Sequence, residues 1–548
     1  MSFLDDIFAS LQEHADTAVL QEIRDGRVVA STGRELLDQV DRSRAFLSAL
    51  GLSKGDRCAL YANNGVRWVA MDLAAMAEGL IVVPLYARQA PAELAAMMKD
   101  CAPALICCGD AALRDGLLKE WPQAPVQHLF DDIFATAPAV NRTPALADAD
   151  PVTIIYTSGT SGEAKGVVLN AGNIAHMLSC INARLDILMR GSLRPDRVFH
   201  YLPFVFAGSW MLLLTSLRRG SQLTVNTDLS RIAQDMRAAA PDYFLNVPAL
   251  LERMRRAVDE QLWKAGGLIR AIYGRAKAAW VRQQEGKSQM LDGVWLWLAR
   301  TAIFPTIRQK MIGRDLRALI CGSAPLALDT QLFFMMLGIP VLQSYGLTET
   351  TAICTLDDPD HYEPGRVGPA IPGIEMKLGE NEEILVRGPN IFPGYWNRPD
   401  ETSRALQDGW FHTGDQGEVD ARGNWRIVGR IKNLIILGSG HNIAPEPIEE
   451  KILQQLPGAA QVVLVGNGKG YLSAIITGDI TRERAQTAID AVNPQFPHYK
   501  QVRAFHIRAE AFTIENGLLT ANGKLKRDLI ARELSNEIDD MYRVKVAV

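Results

Sequence analysis

Residues 58–86, CALYANNGVRWVAMDLAAMAEGLIVVPLY, decide the fold class. CALYAN (58–63) is a short apolar run, and LIVVPLY (80–86) is a second, richer in β-branched residues. Between them, 66–79 has the look of a helix. Asp72 and Glu78 interrupt segment 71–87, so it reads as a helix followed by a buried strand. A membrane span would need about 18 or more apolar residues in sequence. Further runs continue the series: ALICCG (104–109), VTIIYTS (152–158), RALICGS (317–323) and PVLQSYG (340–346). Strands alternating with helices predict α/β architecture, with parallel sheet covered on both faces.

The 548 residues exceed what one core usually serves, so more than one domain is expected. From about residue 365 the texture shifts to short strands and turns, GIEMKL, EEILVRG and GEVDARGNWRIVGR, with Asp420 and Gly423 bracketing a hairpin turn. After Lys432 a compact α/β pattern resumes: NLIIL, a helix over 445–456, AQVVLVG, YLSAIIT and a final charged helix. A boundary near 430 therefore predicts domains over 1–431 and 432–548.

A net charge of −4 argues against a general nucleic-acid partner. Seven cysteines without a CxxC pair suggest neither a disulfide framework nor a zinc site, and fit a reducing cytoplasm. The acidic N-terminus, MSFLDDIFASLQEHAD, lacks the order of a secretory leader. One stretch differs from the rest. Residues 264–317 hold eleven Lys or Arg against three acids, with Trp263, Trp280, Trp295 and Trp297 in or beside them. It reads either as a surface that meets an anionic membrane at the inner face or as a solvated helical cap with buried indoles.

Five motifs carry chemistry. YTSGTSGEAKG (156–166) offers backbone N–H groups, the hydroxyls of Thr157, Ser158, Thr160 and Ser161, and Lys165 to an anion, with Gly159 and Gly162 permitting close approach. It is not GxxxxGK[ST], because Ala164 precedes Lys165 and Gly166 follows it. In QSYGLTETTA (343–352), at the end of a predicted strand, Tyr345 provides a ring to stack on a base. Thr348 provides a hydroxyl for phosphate or a helix cap, and Glu349 a hard oxygen for Mg2+. GWFHTGDQG (409–417) places Asp415 where a carboxylate could accept from two ribose hydroxyls, or simply close a turn. GRIKNLIILGSGHNIAPEPIE (429–449) and LLTANGKLKR (518–527) complete the set.

In order and spacing these motifs resemble the adenylate-forming superfamily of acyl-CoA synthetases, adenylation domains and beetle luciferases, over about residues 30–527. ENGLLTANGKLKR, KNLIILGSGHNIAPEPIE, LNVPALLERM (245–254) and ALICGSAPL (318–326) look most like long-chain fatty acid–CoA ligases. The resemblance implies a large N-terminal domain of α/β sheets with a small β-barrel-like subdomain, and a small mobile α+β C-terminal domain. It implies that ATP and Mg2+ convert a medium- or long-chain fatty acid to acyl-AMP, which then passes to CoA. The alternatives are another acid or a carrier-protein thiol as acceptor, and a non-catalytic nucleotide-binding relative.

By the same resemblance, the loop at 157–165 would hold the β- and γ-phosphates. Tyr345 and Gly346 would lie on adenine, with Gly322, Ser323, Ala324 and Pro325 as a wall. Thr348 would meet the α-phosphate, Glu349 would hold Mg2+, and Asp415 with Arg430 would bind ribose. Lys524 would bridge carboxylate and α-phosphate, Lys432 would be the hinge, and Gly438, Ser439 and Gly440 would face the CoA tunnel. Phe204, Phe206 and Gly208 of LPFVFAGSW (202–210) are acyl-pocket candidates, with ordinary core packing the competing reading. Phe206 stands where the family often has His, and TANGK replaces a TPT lead-in common in long-chain enzymes.

Overall fold

The computed structural model describes residues 2–543 except Asp25, 139–145, 159–163, Ala265, Glu285, Arg314 and 521–522. The chain forms two compact units. The first comprises Met1–Met376, Val386–Phe411 and Asp420–Trp425; the second comprises Lys377–Leu385, His412–Val419 and Arg426–Val548.

The opening stretch folds as its pattern demands. Strands Arg57–Ala62 and Ile81–Tyr86 pair in parallel, with Ala59 opposite Val83, and helix Val66–Ala77 connects them. Leu105–Cys108 and then Gln127–Leu129 extend the sheet on one side, while Pro151–Ser158 joins Ile81–Tyr86 on the other. A second sheet runs Thr355–Leu356, Val341–Tyr345, Ala318–Cys321, Tyr243–Asn246, Arg197–His200, Gln222–Asn226, Ala18–Arg24 and Arg27–Thr32.

The parallel reading fails at the sheet margins. Arg27–Thr32 and Thr355–Leu356 run antiparallel, as do Ala164–Asn170 against Pro151–Ser158 and Gly394–Tyr395 against Ala164–Asn170. For the three pairs adjacent in sequence the physical reason is connection length: the few residues between their strands can close a tight reversal but not a parallel crossover, which takes about a dozen or more; Gly394–Tyr395 joins a strand distant in the chain and is under no such constraint. The turn expected at Asp420 and Gly423 is present, with Asp420 N–H donating to Asn424 O (3.1 Å) and Gly423 at φ +85°.

Helix Val66–Ala77 is buried nearly all round, Asp72 included. Asp72 accepts from the Trp210 indole N–H at 2.8 Å, yet burial pushes its carboxyl up to about 7, with the Trp210 bond opposing the rise. The folded state then holds this proton more tightly than the unfolded chain does. The Asp72 contribution to stability is therefore fully present below about pH 4, declines as pH rises from about 4 towards 7, and is lost beyond. Asp72→Asn keeps an acceptor for Trp210 and removes the titration. Thermal melts should show it more stable than wild type above pH 7, by at most roughly 4 kcal/mol, with a shallower decline between pH 5 and 8. Asp357, also buried and pushed up to about 7 by burial, retains its share of the slope.

In the second unit, Ala459–Val465 pairs antiparallel with Leu472–Gly478, and Val502–Arg508 lies parallel to the latter. The period-2 alternation builds both faces. Val462, Leu464 and Ile476 pack with Ile448, Ile452 and Ile489 of helices Glu446–Gln455 and Arg482–Val492. Val463 and Ile475 pack on the opposite face with Phe512, Ile530 and Ile538.

All seven cysteines are free and buried. Among the described residues, no helix is long and apolar enough to cross a membrane.

Candidate functional site

In the first unit, the QSYGLTETTA motif is a tight reversal at the end of strand Val341–Tyr345. Tyr345 O accepts from Cys354 N–H at 2.8 Å, which returns the chain as Thr355–Leu356. The turn tolerates no side chain at Gly346, where a Cβ would lie 2.3 Å from Ala352 O. Thr351 and Ala352 hold left-handed φ values of +53° and +89°, strain that the surroundings must offset. Asn390 does so: buried, it donates to Thr350 O and Ile353 O, while its own carbonyl accepts from Thr351 Oγ1 at 2.7 Å. Thr350, not Thr348, closes the short 3-10 turn, accepting from Leu347 N–H at 2.9 Å. That leaves Thr348 outside the capping role.

Strand Ala318–Cys321 lies beside Val341–Tyr345, with Cys321 opposite Gln343. The segment Gly322–Pro325 thus leaves the sheet next to the end of the Tyr345 strand. Gly322 is buried, and a Cβ there would come 2.7 Å from Ser344 Oγ. Ser323, at φ +71°, Ala324 and Pro325 are exposed.

Glu349 has two partners from one neighbouring segment. Its Oε1 accepts from the Tyr395 hydroxyl at 2.9 Å, and its carbonyl accepts from Phe392 N–H. The Lys165 ammonium lies 5.3 Å from the centre of the Tyr395 ring and pairs with Glu401. Lys165 stands opposite Thr157 in its hairpin, and Gly166 O accepts from Trp396 N–H at 2.8 Å. Lys165 and Glu349 are thereby linked through Tyr395. Gly159, Thr160, Ser161 and Gly162 lie outside the described residues, as does the side chain of Ser158.

Sequence reasoning missed Asn390, Tyr395 and Glu401. They belong to PNIFPGYWNRPDE (389–401), where Gly394–Tyr395 adds an edge strand to Ala164–Asn170. A Tyr-Trp pair after Pro-Gly was the available signal.

Phe204 is fully buried, stacked on His200 (5.1 Å between centroids, 3° between planes) and beside Trp68. Phe206 is half-buried, 6.0 Å from Tyr86. A Cβ on Gly208 would make ordinary contact with Leu245 at 3.7 Å. His200 supplies an imidazole near this segment, but burial pushes it down to about 4, so it is neutral at physiological pH.

The second unit assembles the other candidates. Asp415 is buried and pairs with Arg430 Nε at 2.6 Å. Its N–H donates to Thr413 Oγ1, which itself donates to Ile384 O. Lys432 is exposed in the turn Ile431–Asn433; partial desolvation first, then Arg430 and Lys524, lower its pKa, while Asp528 and Asp415 oppose them. Lys524 is exposed on a loop closed by Thr520, whose Oγ1 accepts from Lys524 N–H at 3.1 Å. Asp415, Arg430 and Lys524 thus each lie within electrostatic reach of Lys432. Gly438, Ser439 and Gly440 form the exposed tip of a hairpin, with Ile435 opposite Ile443 and Gly440 at φ +84°.

Among the described residues, no group of three or more His, Cys, Asp or Glu is arranged to hold a metal. Glu349 alone fits Mg2+ only in the way that ion commonly binds, through one or two carboxylates plus substrate phosphates and water.

The family model for AMP-binding enzymes matches residues 7–396, and that for the AMP-binding enzyme C-terminal domain matches 432–545. The chain belongs to the AMP-binding enzyme family. The adenylate-forming resemblance is borne out over nearly the full length. A long-chain-fatty-acid–CoA ligase, FadD15 of Mycobacterium bovis, is 27% identical, covering 98% of this chain and 96% of the relative. Two solved structures share the fold. O-succinylbenzoate CoA synthetase of Bacillus subtilis, in complex with its acyl-adenylate intermediate, superposes at TM-score 0.76 with 21% identity, over 97% of this chain and 98% of that one. ATP-bound MatB from Rhodopseudomonas palustris superposes at 0.74 with 24% identity, over 98% of this chain and 100% of the other.

Proposed function

We propose that this AMP-binding enzyme uses ATP and Mg2+ to convert a medium- or long-chain fatty acid to acyl-AMP and diphosphate, then transfers the acyl group to CoA, releasing AMP. The observation that carries the proposal is the joint retention of Glu349, Asp415, Arg430 and Lys524, each set in a built environment, in a chain similar end to end to a long-chain-fatty-acid–CoA ligase.

The chemistry follows from the charges. A carboxylate repels nucleophiles, and AMP is a better leaving group than oxide. Tyr345, beside Gly346 and the Gly322–Pro325 segment, would receive adenine. Asp415, oriented by Arg430, would accept from the ribose hydroxyls. Thr348 would donate to the α-phosphate. Glu349, held by Tyr395, would bind Mg2+, which when present offsets phosphate charge. Lys165, with the loop from Thr157, would hold the leaving diphosphate, exchanging Glu401 for phosphate oxygens. Domains 1–431 and 432–548 would reorient at Lys432 between half-reactions, with Gly438–Gly440 then turned to the thiol of CoA.

Lys165→Ala should raise the KM for MgATP at least tenfold in adenylate formation, since charge-assisted bonds to phosphate are lost. Thioester formation from supplied acyl-AMP should change less than threefold. Separate assays of the half-reactions check this; equal losses would remove Lys165 from the diphosphate site. The test of the whole reading is CoA-dependent AMP release across carboxylic acids of increasing chain length. A maximum at medium or long acids is expected, and a maximum at acetate or an aromatic acid would overturn the acid class.

A further inference from the structure

The basic, Trp-bearing stretch is only partly a cap that buries its indoles. Helix Gly267–Gln284 is rooted in the core through Tyr273, Ala276 and Trp280. Helix Asp292–Leu298 is fastened to it by the Arg282–Asp292 ion pair and by Arg275 over Trp295 at 4.5 Å. Trp280 is therefore spent on packing, and Trp295 is partly buried against the same core.

Trp263, at the end of helix Pro248–Lys264, and Trp297 are 74% and 63% exposed, and Leu268, Met290 and Leu291 are exposed on helix Gly267–Gln284 and on the turn before Asp292–Leu298. Single exposed apolar side chains are ordinary, but several large ones grouped on one helical cap mark an interaction surface. The Arg270 guanidinium lies over the Trp263 ring at 5.3 Å.

The charge around them is predominantly positive. Arg270, Lys277, Lys287 and Arg300 are exposed. Of the acids in this stretch, Asp292 is buried on Arg282 and Asp315 is paired with Arg197; Glu285 lies outside the described residues. Glu260 is the exposed acid on the preceding helix, one turn before Trp263. A cationic surface on a chain of net charge −4 is complementary to an anionic partner, and exposed tryptophan adds affinity for the headgroup layer of a bilayer.

We propose that this helical cap is a peripheral docking surface for an anionic membrane, with Trp263 and Trp297 entering the headgroup layer and the basic residues on lipid phosphates. The inference does not depend on which acid the enzyme activates.

The test is co-sedimentation of the full chain with vesicles of phosphatidylcholine alone, and of phosphatidylcholine with phosphatidylglycerol at 3:1. Binding to the mixed vesicles, weakened by 0.5 M salt and far weaker on the neutral ones, is expected. Arg270→Gln/Lys277→Gln/Arg300→Gln should weaken it on the order of 100-fold, about fivefold per cation. Trp263→Ser/Trp297→Ser should weaken it at least tenfold, with melting temperature unchanged in both. Should a variant fail to fold, brominated lipid must still quench the wild-type indole fluorescence. No binding, equal binding to both vesicles, or no quenching would overturn the proposal. So would capture by duplex DNA, or self-association in the ultracentrifuge, in place of lipid dependence.

Discussion

Lys524→Ala is expected to slow formation of the acyl-adenylate by about 100-fold or more while leaving thioester formation from supplied acyl-adenylate within about threefold of wild type. Carboxylate and α-phosphate are both anionic, and negative charge gathers between them as they react. A fixed ammonium at that point stabilises the transition state more than the separated reactants, and removing one such donor usually costs on the order of 100-fold. The backbone of Lys524 is tied to Thr520: Thr520 Oγ1 accepts from Lys524 N–H, and Thr520 N–H donates to Lys524 O at 2.8 Å. Lys432, Arg430 and Lys524 crowd positive charge in this unit, which is tolerable where anionic substrate is to be received. Rapid-quench assays of the two half-reactions measure the split. Equal losses in both would show that Lys524 supports structure rather than adenylation.

Glu449→Ala is expected to destabilise the second unit by about 3–5 kcal/mol. Glu449 is buried and accepts from both terminal nitrogens of Arg527, and from Leu464 N–H at 2.6 Å. It ties helix Glu446–Gln455 to strand Ala459–Val465 and to the first residue of helix Arg527–Glu533, three positions beyond Lys524. Losing it leaves the partly buried guanidinium with Glu446, 3.8 Å away, as its remaining carboxylate. Amide exchange across Ala459–Val465 and Leu472–Gly478 should accelerate accordingly, because it reads local opening. Glu449→Leu with Arg527→Met should recover most of the loss, since apolar pairs often replace buried ion pairs without penalty. An effect of Glu449→Ala below about 1 kcal/mol would contradict this role. Adenylation should fall with the single change as the Lys524 loop loses its anchor.

What was legible followed local physics. The βαβ segment at 58–86 declares itself through periodicity, and the Asp420–Gly423 turn through residues suited to its backbone. The marginal antiparallel strands were not legible as such, because direction depends on what closes the connection. The phosphate-loop, Tyr345, Asp415 and Lys524 motifs were recognisable as strings. What holds them was not: Tyr395 reaches Glu349 across 46 positions, and Arg527 reaches Glu449 across 78, pairings that tertiary packing alone creates. The four tryptophans near 264–317 were equivalent as letters, and only packing separates inward Trp280 from outward Trp263 and Trp297.

The central claim is activation of a carboxylate by ATP. Its most direct test is exchange of labelled diphosphate into ATP, with Mg2+ and a fatty acid present and CoA withheld. Exchange that requires the acid, and that disappears in Lys524→Ala, is the predicted result. A wild-type protein that binds ATP yet supports no acid-dependent exchange over a broad panel of carboxylic acids would contradict the claim.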